Sequence, residues 1–179
     1  MRIISGQHKG RRIMAPKRLP VRPTSDMAKE ALFNILNNQI DFEGISVLDL
    51  FSGTGNISYE FASRGAAQVT AVDIDPGCAA FTARTAKELE MPINAIKNDV
   101  FKHLERTGIK ADIIFVDPPY NIGFESFVKV PKLVFQNNLL NKEGLLIIEH
   151  SDKTDLSNEA YFKNFRKYGG SVFSFFQWD

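Results

Sequence analysis

Four consecutive residues, Asp117-Pro118-Pro119-Tyr120, carry groups suited to chemistry on an amine attached to an aromatic base. Such an amine is a poor nucleophile, because its lone pair is delocalised into the ring. It needs acceptors that hold its hydrogens and favour a pyramidal nitrogen. Asp117 offers a carboxylate. Pro118 offers a rigidly aimed carbonyl, since consecutive prolines lock φ and remove donors. Tyr120 offers a flat face on which a base taken out of its stack can lie. Held in line with an electrophilic methyl carbon, the nitrogen would react through proximity and orientation. The bland alternative is a proline-terminated strand with a tyrosine in the core.

A second group of residues suits an adenosine-containing cofactor. Val47-Leu48-Asp49-Leu50-Phe51-Ser52-Gly53-Thr54-Gly55-Asn56 is an apolar run ending in a glycine-rich turn. Glycines there let the backbone approach a ligand closely. Asp73 follows Gly53 by 20 residues, at the end of the next apolar run, where a carboxylate can accept from a ribose diol. Asp99 ends the run after that, placed to accept from an adenine amino group. Position 58, where the dinucleotide fingerprint has its third glycine, is a serine. A pyrophosphate packed on the helix N-terminus wants that glycine; a cofactor bearing methionine does not. This counts against a nicotinamide oxidoreductase. The alternative is a strand–helix turn with incidental acids.

These residues need a scaffold. From Ile45 onward short apolar runs alternate with helical stretches. The strands expected are Ser46–Phe51, Gln68–Val72, Asn94–Lys97, Ile113–Val116 and Leu145–Glu149, with helices at Ile57–Arg64, Gly77–Leu89, Phe101–Arg106 and Phe124–Leu139. That alternation predicts an α/β fold, a parallel sheet with helices on both faces. In such sheets ligands sit at the carboxyl ends of the strands, where both motifs fall. Phe162–Tyr168 and Val172–Trp178 flank Gly169-Gly170 and predict a closing hairpin that adds an antiparallel strand. Upstream, Ala28, Ala31, Leu32, Ile35 and Leu36 share a helical face, capped by Ser25 or Asp26. Residues 3–13 read as a small hairpin, and Pro16, Pro20 and Pro23 should keep the following chain extended.

With 179 residues the chain fits one domain, a basic extension over 1–23 and a core over 24–179. Residues 1–22 hold seven of the 22 basic residues and no acid, leaving 15 basic against 21 acidic residues elsewhere. A basic arm on an acidic body suggests a polyanion held at one end. The single cysteine, Cys78, cannot form an internal disulfide, and neither a signal peptide nor a membrane span is evident, so a cytoplasmic location is expected. His8, His103 and His150 lack metal-ligand spacing and are expected at the surface or as caps, with no metal site. Phe173, Phe175 and Phe176 should be sheet core and edge. Glu149 either faces the site or is a surface carboxylate.

The combination of Asp49, Gly53-Thr54-Gly55, Asp73, Asp99 and Asp117-Pro118-Pro119-Tyr120 resembles the class I S-adenosylmethionine-dependent methyltransferases. With Gly6-Gln7, Gly10-Arg11, Arg22-Pro23-Thr24-Ser25-Asp26 and Glu30-Ala31-Leu32-Phe33-Asn34, the chain is similar over nearly its whole length to the 16S ribosomal RNA guanine-N2 methyltransferase family. The resemblance implies a Rossmann-like, seven-stranded, mostly parallel sheet and S-adenosylmethionine bound by Asp49, Phe51, Gly53, Gly55, Asp73, Ile74, Asp99 and Val100. It also implies a base handled by Asp117, Pro118, Pro119 and Tyr120. Lys9, Arg11, Arg12 and Arg22 are expected to hold 16S ribosomal RNA, naked or in a small-subunit assembly particle, and the protein to be a monomer. The same four-residue motif occurs in adenine-N6 methyltransferases, so an adenine target and a non-catalytic RNA-binding assembly module stay open.

Overall fold

The computed structural model of the protein describes residues 1–21, 25–119 and 121–179. Helix α1 (Asp26–Asn37) starts where expected, with the Ser25 hydroxyl accepting from the Ala28 N–H at 3.1 Å. Beyond it come β1 (Ser46–Leu50), α2 (Asn56–Ser63), β2 (Gln68–Asp73), α3 (Pro76–Glu88), β3 (Ile93–Lys97) and α4 (Val100–Arg106). The chain continues through β4 (Ala111–Val116), α5 (Phe124–Gln136), β5 (Leu140–Ser151), β6 (Phe162–Tyr168) and β7 (Ser171–Phe176). The seven strands form one sheet in the order β3-β2-β1-β4-β5-β7-β6. The first five strands pair in parallel; β7 lies antiparallel between β5 and β6.

The central strands are apolar on both faces because each face is covered. Leu48, Leu50, Ile114, Val116, Leu146 and Ile148 pack with Leu104 of α4 and Val130 and Val134 of α5. Val47, Ile113, Phe115 and Ile147 pack with Leu32, Phe33 and Leu36 of α1 and Ile57 and Phe61 of α2 on the opposite side. Phe173, Phe175 and Phe176 are all buried.

Three local expectations need correction. Strand β5 begins at Leu140 rather than Leu145, because its polar start is stitched at a register shift: Asn141 Nδ2 donates to Asp112 Oδ1 at 2.7 Å. Pro16 opens a turn instead of an extended run, with the Leu19 N–H donating to the Pro16 carbonyl at 3.1 Å. His103 and His150 are buried, not superficial. The His150 ring is held between the Ser151 carbonyl and the Ser174 hydroxyl, and burial lowers its affinity for a second proton.

The basic extension is not a loose arm. Its Arg2–Arg12 bridge closes a small hairpin whose Ile3 and Ile13 are buried against Tyr59 and Phe81. The Glu60 carboxylate accepts from the N–H groups of Ile4 and Ser5 at 2.8 and 3.0 Å. The Ser63 hydroxyl donates to the Ser5 carbonyl at 2.6 Å and accepts from the His8 N–H at 3.0 Å. Gly6 crosses so close that a Cβ there would collide with the Ser63 carbonyl oxygen.

Candidate active site

The strand order reverses direction between β1 and β4, which are neighbours in the sheet although three strands apart in connectivity. At such a switch point the loops leaving the two strands diverge and open a crevice at their carboxyl ends. The glycine turn leaves β1 and Asp117-Pro118-Pro119 leaves β4, so the two motifs flank this crevice. Backbone bonds fix their spacing. The Asp117 N–H donates to the Leu50 carbonyl at 3.3 Å, Ser52 N–H to Val72 at 3.1 Å, and Asn98 N–H to Asp73 at 2.9 Å.

The glycine turn is wound tightly, with Phe51, Gly53 and Gly55 at φ 57, 53 and 83°. For Phe51 this is a strained conformation, of a kind that clusters at functional sites. A Cβ on Gly55 would lie 2.9 Å from Thr82 Cγ2 and from Tyr59 Cζ, so only glycine lets α2 start there. Asp73 organises the loop: its Oδ2 accepts from the Gly53 N–H at 2.8 Å and its Oδ1 from the Asp75 N–H at 2.9 Å. Each carboxylate oxygen has a further lone pair for a ribose hydroxyl. Ile74 beside it is 63% exposed, an apolar surface suited to a flat ring. Asp99 lies at the end of β3 and caps α4 through the Lys102 N–H at 2.9 Å. Val100 is buried in the core, so its side chain is turned from this surface. Asp49 lies beneath the turn, 1% exposed, accepting from the Ser58 hydroxyl at 2.5 Å. The serine at the third glycine position thus has a structural partner.

These donors fit an adenosine-bearing cofactor: a glycine turn open to close approach, a carboxylate at the second strand end, an exposed apolar face, and a third acid. Among the described residues no cluster of His, Cys, Asp and Glu could hold a metal ion.

On the β4 side a cavity of ≈ 140 Å³ lies against Asp117 and Pro118, walled by Ile122, Phe124, Phe127, Glu149, His150 and Lys153. Tyr120 and Arg22 fall outside the described residues. Glu149 was legible only as one of two options; it faces this cavity and is 8% exposed. Lys9, Arg11 and Arg12 are exposed on the docked hairpin. The chain after the hairpin runs to the glycine turn, where Val21 Cγ1 would lie 3.2 Å from a Cβ on Gly53. That wall of the crevice carried no signal in the sequence.

Burial pushes the Asp49 carboxyl up to about 7, helped by Asp117 and Asp73 and opposed by the Ser58 hydrogen bond. Burial and then Asp117 push Glu149 up to about 7. Unfolded carboxyls titrate near about 4. Between these values the native state binds more protons, so these two groups make stability fall as pH rises from about 4 to about 7, then level off. Melting temperatures of the wild type and Asp49→Asn should diverge in the variant's favour as pH rises from about 4 to about 7, with little further change above. A constant difference would reject burial of Asp49 as the cause.

The fold and this crevice define a Rossmann-like methyltransferase domain. The solved structure of yhhF from Escherichia coli matches at a TM-score of 0.84 with 28% identity, over 99% of this chain and 97% of that one. The fold also matches the T. thermophilus 16S rRNA N2 G1207 methyltransferase, solved with AdoMet and guanosine, at a TM-score of 0.71 and 21% identity, over 89% of this chain and 45% of that one. The chain belongs to the family described as Conserved hypothetical protein 95, whose model matches residues 1–177. Among its relatives, the ribosomal RNA small subunit methyltransferase D of Haemophilus influenzae is 31% identical, over 90% of this chain and 84% of its own length. The protein of the same name from Escherichia coli K12 is 31% identical, over 83% and 74%.

Proposed function

We propose that this protein transfers a methyl group from S-adenosylmethionine to the exocyclic N2 of a guanine in 16S ribosomal RNA, free or within a small-subunit assembly particle. One observation carries the reading: the Asp117-Pro118 turn and the glycine turn sit on adjacent strands at the switch point, tied by the Asp117–Leu50 backbone bond. Both family relatives above bear the name ribosomal RNA small subunit methyltransferase D, which supports the substrate class.

When bound, the cofactor supplies an electrophilic sulfonium methyl. Asp73 accepts from its ribose hydroxyls, Asp99 from its adenine amino group, and Ile74 packs on the ring. Asp117 accepts one hydrogen of the target amine and Pro118 O the other, which holds the nitrogen lone pair toward the crevice. After transfer the Asp117 carboxylate takes the proton that the nitrogen sheds. Tyr120 supplies a ring on which the base can stack, and Arg22 a charge for RNA phosphate.

Asp73→Ala removes the ribose acceptors and the anchor of the Gly53 N–H together. With a charge-assisted hydrogen bond worth about 1.5–3 kcal/mol, cofactor affinity should drop about 10- to 100-fold. Calorimetry that finds wild-type affinity rejects this role.

Lys9, Arg11 and Arg12 should meet phosphates. Replacing all three with Ala should weaken RNA binding and reduce the slope of log K against log salt by about 0.7–0.9 per lost contact. An unchanged slope would place the RNA on another surface.

The reading itself is tested by mapping ribosomal RNA methylation in a deletion strain and weighing nucleosides from RNA methylated by the pure protein. N2-methylguanosine at a single small-subunit position is expected. N6-methyladenosine in its place would transfer the reading to the adenine enzymes. RNA bound but never methylated would favour an assembly module.

A further inference from the structure

Glu149 has no part in the chemistry derived above, yet it stands next to it. β4 and β5 pair in parallel with Phe115 opposite Ile147 and Val116 opposite Ile148, so one more step of register sets Asp117 opposite Glu149. Neighbouring strands lie about 4.8 Å apart. Both residues line the cavity at the carboxyl ends of these strands. The Ser171 hydroxyl donates to Glu149 Oε1 at 2.8 Å and fixes the carboxylate. Its Oε2 is buried and has no hydrogen-bond partner among the described residues. Buried acceptors are rarely left without a donor, so a specific one that is wants an explanation. A donor arriving with the substrate would supply it.

The chemistry of that donor follows from the pair. Once Glu149 is ionised, above about pH 7, it and Asp117 offer the substrate acceptors only. Guanine presents two adjacent donors on one edge, N1–H and the N2 amino group. Adenine presents an amino donor beside N1, a bare acceptor, which an ionised carboxylate repels. We propose that Glu149 accepts the N1–H of the target guanine while Asp117 holds its amino group, making Glu149 the residue that selects guanine over adenine. This rests on the guanine-N2 reading and deepens it. Burial and Asp117 hold the Glu149 carboxyl up near 7; a donor docked on Oε2 would stabilise its charged form.

The test uses the full chain saturated with S-adenosylhomocysteine at about pH 8.5, where Glu149 is ionised, titrated by NMR with guanosine, 2-aminopurine riboside and adenosine. 2-Aminopurine keeps the amino group at C2 but has no hydrogen on N1. The wild type should bind guanosine at least about tenfold more tightly than 2-aminopurine riboside, the scale of one hydrogen bond to a charged acceptor. Glu149→Gln retains the side chain's shape and an oxygen for Ser171, and its amide can donate to a bare N1. It should bring the two nucleosides within about twofold of each other. A role in stability alone would weaken both alike and leave their ratio unchanged, and a wild-type ratio in Glu149→Gln overturns the proposal. So does guanosine that fails to bind the wild type up to its solubility limit. Adenosine binding ahead of guanosine in the wild type would overturn the guanine reading itself.

Discussion

Asp117→Ala is expected to lower kcat by about 10²- to 10³-fold while leaving S-adenosylmethionine affinity within about twofold, the pattern of losing one preorganised group that acts on the reacting atoms. The carboxylate sits at the end of β4, across the switch point from the glycine turn rather than within it. Its backbone position is set by the Leu50 carbonyl, which the substitution leaves in place. The side chain is also partly exposed, so its removal opens no cavity in the core. The loss therefore belongs to the amine: without the carboxylate, one hydrogen goes unheld and the departing proton has no acceptor. Asp117→Asn keeps an oxygen but no charge and should fall between Ala and the wild type. Single-turnover methylation together with calorimetry separates the two quantities. A normal rate in Asp117→Ala, or a loss confined to cofactor affinity, would end the catalytic assignment.

The sequence displays the parts of this site but not their arrangement. Gly53, Gly55, Asp73, Asp99 and Asp117 each close or follow an apolar run, Asp49 lies inside the first, and the structure sets them at the carboxyl ends of the parallel strands β1 to β4. Such placement is legible because strand ends, glycine turns and proline stops are local signals. The order β3-β2-β1-β4 is not local, and neither is the register that sets Asp117 opposite Glu149. Glu149 could thus be read equally as site or surface. The start of β5 was hidden because Asn141, Lys142, Glu143 and Gly144 are loop-forming types held in a strand by partners elsewhere. His103 and His150 were misplaced for a related reason: residue type gives histidine no firm burial preference. Lys29 and Glu60 belong to two different helices, where residue type alone does not mark a charge as buried, and both side chains are fully buried. The one available hint was Arg64 four residues after Glu60, a spacing that pairs charges along a helix.

That buried pair sets the other large effect. Lys29 Nζ lies 3.5 Å from Glu60 Oε2 in an ion pair and donates to Asn56 Oδ1 at 2.8 Å and to the Arg2 carbonyl at 2.6 Å. Burial lowers the Lys29 pKa and Glu60 works against that fall. Glu60 also accepts from Ile4 N–H, Ser5 N–H and Arg64 Nε, so one carboxylate joins α1, α2 and the basic hairpin. Glu60→Ala leaves a buried cation and two backbone N–H groups without their acceptor. Breaking a buried pair from one side costs about 3–5 kcal/mol. For a chain of this size that lowers Tm by about 6–20 °C. The damage should start at the hairpin, since Ile3 and Ile13 are its apolar anchors and Glu60 is its polar one. Limited proteolysis should therefore cut within residues 5–12 before the sheet melts, and RNA affinity should fall with it, because Lys9, Arg11 and Arg12 lose their fixed position. Glu60→Gln keeps an oxygen for one N–H and should lose less. A double variant with Lys29→Met, which removes the stranded cation, should recover part of the stability lost in Glu60→Ala. If Glu60→Ala melts like the wild type and its hairpin resists protease, the pair is ornamental and the basic surface is held in place by apolar packing alone.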